Sequence, residues 1–307
     1  MKLQARKVRN YDLYATHAWY VPGVGGMFAL FGLMLAGSLL GSLITSIFGL
    51  FFTPQAAVDY GMLISYPVSF IPPMIFVAQK SRRNCLFEPG FKLSSSHFGP
   101  FKGWQVALIT VALTFGTMIA ADLPNYLNYR LTQGNPFLKR MYDALSALLE
   151  QMTGGPLWSS FLLAAIFAPI FEEWLCRGVV LRGLLTKMKP SWAIVVSALF
   201  FALIHLNPWQ ALNAFILGLV MGYVYYKTGS LWLTMLIHFV NNATAVVLAQ
   251  IPSIPDDVQL AELLSRQDYT ILYICGLLVL AAGIWAFSRI PLQQERGNID
   301  PVELKTE

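Results

Sequence analysis

The stretch LWSSFLLAAIFAPIFEEWLCRGVVL, running from Leu157 to Leu181, is free of charge except for Glu172, Glu173 and Arg177. A helix of about 20 apolar residues crosses the hydrocarbon core of a bilayer, so this segment is long enough to span one. The three charges decide how it is read. Each costs several kcal/mol in hydrocarbon unless it is paired or reaches water, so other helices must surround this one and compensate them. Glu173 and Arg177 are four apart in the favourable acidic-first order and can pair on one helical face. Glu172 has no such local partner.

Working outward, seven more stretches lack Asp, Glu, Lys and Arg on the scale of a crossing: Val24 to Phe52, Tyr60 to Gln79, Gly103 to Ala121, Ser191 to Leu206, Trp209 to Tyr226, Ser230 to Gln250 and Tyr269 to Ser288. Ser191 to Tyr226 is one charge-free run, divided at Asn207-Pro208 because proline disfavours a continuing helix. The fold class expected is therefore an all-α membrane protein of about eight transmembrane helices. The composition agrees, with 56% hydrophobic and 12% charged residues, about half the charged share of a soluble domain. The first span is too long for the core of a signal peptide and is read as a retained helix.

Between the third and fourth spans, Phe137, Leu138, Met141, Leu145, Leu148, Leu149 and Met152 recur at helical spacing beside Lys139, Arg140, Asp143 and Glu150. That pattern predicts an interfacial amphipathic helix resting on the headgroups. Eight crossings that start inside leave 16 basic residues, Arg182 among them, on the cytoplasmic side and 4 outside, so both termini are expected in the cytoplasm. The formal net charge of +5 thus reflects anchoring beside span ends, and a nucleic-acid partner is not expected. Gly37 with Gly41, and Gly218 with Gly222, have the spacing that lets helix backbones approach closely. Cys85, Cys176 and Cys275 are scattered without metal-type spacing. The organisation expected is a cytoplasmic segment over 1–20, helices and interfacial helix over 21–150, helices that carry the charges inside the membrane over 151–250, and a last helix with a polar tail over 251–307.

His17 and His97 lie in polar segments, whereas His205 and His238 lie in apolar spans. Phe201 with His205, and His238 with Asn242, are each four apart and share a helical face. The midpoint between 172 and 205 falls in the turn Lys187 to Pro190, so an antiparallel hairpin brings Glu172 and His205 to one depth, roughly 25 Å from the turn at 1.5 Å per residue. Asn242 lies about as far beyond the Thr228-Gly229 turn. A buried Glu sharing a proton with His can hold and activate water. N–H donors on His238 and Asn242 could stabilise the negative charge that develops as water attacks an amide. A polar network that only fixes helix packing could use some of these groups, but has no need of an unpaired Glu beside two histidines.

Three ordered motifs carry a resemblance. Glu172-Glu173-Trp174-Leu175-Cys176-Arg177 resembles the Glu-Glu-x-x-x-Arg motif of the CAAX protease and bacteriocin-processing family, Phe201 to His205 resembles its Phe-x-x-x-His motif, and His238 to Asn242 its His-x-x-x-Asn motif. The resemblance spans about Leu157 to Gln250. It implies an intramembrane endopeptidase in which Glu172 and His205 activate water, His238 and Asn242 form the oxyanion hole, and Glu173 and Arg177 support them. The substrate implied is a membrane-associated peptide or protein, and the setting a multi-pass protein of a bacterial-type cell membrane. Zinc could be held by one Glu and two His in principle, but a metal-free mechanism gives Asn242 a better role, as donor rather than ligand. A proton-coupled transporter or a non-catalytic membrane regulator would also place charges inside the membrane. Both explain less well the paired spacings of four, and the chain shows no repeated halves with broken helices.

Overall fold

The structure, a computed structural model, describes residues 20–81, 98–153, 156–185, 187–251 and 260–292. His17, Cys85, His97, the N-terminal segment to residue 19 and the tail from 293 lie outside the described residues, as do the side chains of Leu148, Leu149 and Met152.

The described residues form helices and no strands. In order they are α1 (Val24–Phe48), α2 (Pro54–Lys80), α3 (Gly103–Gln133), α4 (Pro136–Thr153), α5 (Leu157–Leu185), α6 (Pro190–Ile204), α7 (Pro208–Thr228), α8 (Leu231–Leu248), the single turn α9 (Leu260–Leu263) and α10 (Arg266–Ser288). Every stretch expected to span is helical. Among the described residues, six helices (α1, α2, α3, α5, α8 and α10) have the length and apolarity to cross a bilayer. The chain is an integral multi-pass membrane protein. Helix α6 has 15 residues, about 22 Å of rise against a hydrocarbon core of about 30 Å. Of the eight stretches expected to cross, six are such helices, and the other two are α6 and the 21-residue α7.

That hairpin breaks where proline predicted it. Leu206 adopts φ +53°, and the Asn207 side chain accepts hydrogen bonds from Trp209 N–H at 3.0 Å and Gln210 N–H at 3.3 Å, with Pro208 at the first helical position. Asn207 satisfies amides that the start of α7 leaves open, and Pro208 has none to satisfy.

In hydrocarbon, helices gain little by burying apolar surface against each other and associate through close packing. The small residues supply it. A Cβ on Gly37 or Gly41 would lie 2.5 or 2.7 Å from the carbonyl oxygens of Ser69 and Ser65, so α1 and α2 touch backbone to backbone. Gly218 and Gly222 similarly meet Ala198 and Ile194 across the α6–α7 seam. Helices α3 and α10 form the third close pair, and α8 packs against α3, α5 and α7. The amphipathic α4 exposes Phe137, Leu138 and Met141. Its Lys139–Asp143 pair, 2.8 Å apart, and the edge-on contact of Tyr142 with Trp209 mark the opposite character of its remaining surface.

The centre of the molecule is α5, in which every residue from Glu173 to Leu185 is buried. This includes Arg182, which charge counting placed with the cytoplasmic loops; the helix continues to Leu185 and carries it inside, 1% exposed. Nor is α5 a plain α-helix. Two π-helical stretches, Leu162–Phe167 and Trp174–Leu181, flank a short α-helical piece, Ala168–Glu173. Pro169 gives a local reason for the first, since it lacks the N–H that would bond the Ala165 carbonyl and its ring crowds that oxygen. Wider π turns of this kind recur where a helix must re-aim side chains.

Candidate active site

The α-helical piece between the two π stretches ends with Glu172 and Glu173, which point to different surroundings. Glu173 is wholly buried. Its Oε1 accepts from Arg177 Nη1 at 2.7 Å and from His238 Nδ1 at 3.1 Å. Arg177, also wholly buried, donates through Nη2 to the Gly218 carbonyl at 3.2 Å and stacks its guanidinium 4.4 Å from the centroid of the Phe201 ring. A buried cation is thereby held by a carboxylate, a backbone carbonyl and an aromatic face.

His205 is the residue immediately after α6, where the last carbonyls of a helix lack partners. Its ring takes one of them, with Nδ1–H donating to the Phe201 carbonyl at 2.8 Å. His238 is anchored through its own Nδ1 by Glu173. When Nδ1 carries the proton in a neutral imidazole, Nε2 carries the lone pair. Both Nε2 atoms face Glu172 Oε2, His205 at 3.9 Å and His238 at 4.0 Å. The Phe201 ring meets both imidazoles edge to face, at 4.9 and 5.5 Å between centroids, and so spaces them.

Glu172 is 12% exposed, and its two oxygens differ. Oε1 accepts a hydrogen bond from the Tyr66 hydroxyl of α2 at 2.5 Å. Oε2 is buried and has no hydrogen-bond partner among the described residues. Tyr66 and Glu172 both line a cavity of about 480 Å³ whose other walls are residues of α1 and α2 and Ile204 of α6. Sequence reasoning missed Tyr66. Its only signal is the polar run Ser65-Tyr66-Pro67-Val68-Ser69 inside an apolar span.

Five of the six residues singled out from sequence therefore form one contact network: Glu172, Glu173, Arg177, His205 and His238. The sixth, Asn242, lies one turn beyond His238 on α8 and makes other bonds. Its Nδ2 donates to the Ala164 carbonyl in the first π stretch at 2.8 Å, and its Oδ1 accepts from Asn241 at 3.0 Å. That leaves one amide N–H of Asn242 uncommitted among the described hydrogen bonds.

Zinc donors at about 2.0–2.2 Å in a tetrahedral shell lie roughly 3.3–3.6 Å apart. The separations of 3.9 and 4.0 Å from Glu172 Oε2 are wider than that. Two acceptors that share one water at about 2.8 Å lie about 4–4.5 Å apart, nearer to the 3.9 Å between Glu172 and His205.

An all-helical membrane protein with a solvent-reachable carboxylate facing two anchored imidazoles is the class that fold and site define. Residues 154–244 match the family model described as type II CAAX prenyl endopeptidase Rce1-like. Among curated proteins, the chain is similar to "Putative membrane peptidase YdiL" of Bacillus subtilis (strain 168), 23% identical over 145 residues. The alignment covers 47% of this chain and 55% of that relative, so the chain spans about half the length of the curated relative it matches. No solved structure matches. The matched stretch contains all three motifs and, with the curated relative, points to the CAAX protease and bacteriocin-processing family.

Proposed function

We propose that the protein is an intramembrane endopeptidase that hydrolyses a peptide bond of a membrane-associated substrate with a glutamate-activated water. The observation that carries this reading is Glu172 Oε2, a buried carboxylate oxygen without a partner, facing two imidazole nitrogens whose rings are held from behind. Tyr66 occupies the other oxygen, so Oε2 alone is left to act as base.

A water between Glu172 Oε2 and His205 Nε2 finds two acceptors for its two hydrogens, which leaves a lone pair of its oxygen for the attack. As the O–C bond forms, its proton passes to Glu172. The same proton then goes to the leaving nitrogen as the C–N bond breaks. His238, held through Nδ1 by Glu173, donates to the developing oxyanion from Nε2 when that nitrogen carries a proton. The remaining N–H of Asn242 supplies a second donor. No step requires a metal, and the donor spacing supports that reading. We place the catalytic unit at 151–250, which contains the family match. The excess of basic residues on one side supports cytoplasmic termini, in a bacterial-type membrane.

The test is cleavage of a fluorogenic peptide library by purified protein, with Glu172→Ala and His205→Ala alongside and with chelator present or absent. Cleavage that disappears in both variants and persists with chelator is the expected result. Cleavage that survives either substitution would remove that residue from the mechanism, and loss with chelator alone would establish a metal.

A further inference from the structure

The cavity that exposes Glu172 has an unusual wall. Ser38, Ser42, Thr45 and Ser46 of α1 and Ser65 and Ser69 of α2 line it, together with Tyr66. Hydroxyls are not needed there for packing, since the α1–α2 seam is made by Gly37 and Gly41, and Ser42 and Ser46 are exposed.

We propose that this cavity binds the substrate as an extended peptide, with Ser38, Ser42 and Ser46 accepting hydrogen bonds from alternate backbone N–H groups. The proposal rests on the peptidase reading above and adds to it how the substrate is held and what it must be. Each of the three serines has spent its own hydrogen: Ser38 donates to the Met34 carbonyl at 3.0 Å, Ser42 to the Ser38 carbonyl at 3.0 Å and Ser46 to the Ser42 carbonyl at 2.9 Å. What such an oxygen still offers is lone pairs. The row therefore selects donors, and an acyl or prenyl chain has none.

The spacing suits one kind of donor. Residues four apart on an α-helix rise about 6 Å, along a row inclined by roughly 26° to the axis. In an extended strand, N–H groups on one edge recur every two residues, about 6.4–6.8 Å. Three acceptors at nearly that repeat would hold a strand by its backbone, leaving its side chains unread. At the end of the cavity that contains Tyr66 lies Glu172, whose activated water would attack the scissile carbonyl. The substrate class is thus a locally unfolded, sequence-permissive peptide segment.

The test uses full-length Glu172→Gln protein in nanodiscs, which would bind peptide without cleaving it. The probe is a fluorescein-labelled uncharged peptide of about ten Ala and Val residues, with palmitate as competitor. Each lost hydrogen bond should weaken binding about fivefold, so Ser38→Ala, Ser42→Ala and Ser46→Ala together should cost roughly a hundredfold. The triple Ser→Thr variant keeps an acceptor at each position and should bind within about threefold of the parent. N-methylation of every second amide leaves one strand edge whole and should be tolerated, whereas N-methylation of consecutive amides should abolish binding.

Absence of peptide binding, equal binding by the triple alanine variant, or displacement by palmitate with no hydroxyl dependence would each overturn the proposal. Wild-type cleavage that is indifferent to the three alanines would also overturn it while leaving the peptidase reading intact. Hydroxyl-dependent binding without any hydrolysis by wild type would do the reverse.

Discussion

Two helices face the same cavity and are built to opposite rules. From Glu173 onward α5 is buried on every side, and its Glu173–Arg177 pair is surrounded by other parts of the protein: a carbonyl from α7, an aromatic ring from α6 and an imidazole from α8. Helix α1 has α2 as its principal partner and leaves Leu39, Leu40, Leu43 and Ile47 exposed. Its polar groups are hydroxyls that return to the carbonyl four residues back. A charge in the membrane needs many helices to hold it, and a hydroxyl needs only its own. The difference separates the part of the fold that cannot change without loss of the site from the part that is free to meet lipid and substrate.

The contrast predicts where substitutions hurt. The largest effect belongs to Glu172→Gln, which keeps shape and removes the base; hydrolysis should fall 10²–10⁴-fold, with the thermal midpoint in detergent little changed. A retained rate would break the assignment of the base. Next, Arg177→Met leaves Glu173 as an uncompensated buried charge, at about 3–5 kcal/mol of stability. Thermal unfolding should show it, and adding Glu173→Gln should recover much of the loss. If the double variant is no better than the single, pairing is not what keeps these residues.

Tyr66→Phe sharpens the comparison because it removes one oxygen that spans the two regions. A hydrogen bond to a charged group is worth about 1.5–3 kcal/mol, so kcat should fall roughly 10- to 100-fold while peptide affinity and folding hold. On the α1 side, Gly41→Val forces apart a backbone contact and should cost about 1–3 kcal/mol. Leu39→Ala, on the exposed face of the same helix, should lie within about 0.5 kcal/mol of the parent. Equal losses at Gly41 and Leu39 would show that α1 is held by something other than its small-residue seam.

Much of this was legible in the residues. Uncharged runs located the long helices because hydrocarbon imposes a length and forbids most charges. Asn207-Pro208 announced its break through a cap and a missing donor, and the spacings of four put Phe201 with His205 and Glu173 with Arg177. Three features had no such signal. The second π stretch of α5, Trp174–Leu181, contains no proline or other local cause that marks it in the residues. Arg182 looks like a loop cation until helix α5 is seen to continue past it. Tyr66 lies 106 positions from Glu172 in the chain, and nothing in α2 says which helix its hydroxyl will meet.

The sequence by itself determined that this chain lives in a membrane, which groups it carries there and which of them share a helical face, because solvent and helical period act on neighbours in the chain. Only the tertiary structure decided that Glu173 would meet Arg177 and His238 while Glu172 faced both imidazoles, and that a tyrosine from the far half would take the other oxygen of Glu172. Those outcomes depend on the depth and rotation at which separate helices meet. Small residues in distant seams set both, and the charged residues themselves do not.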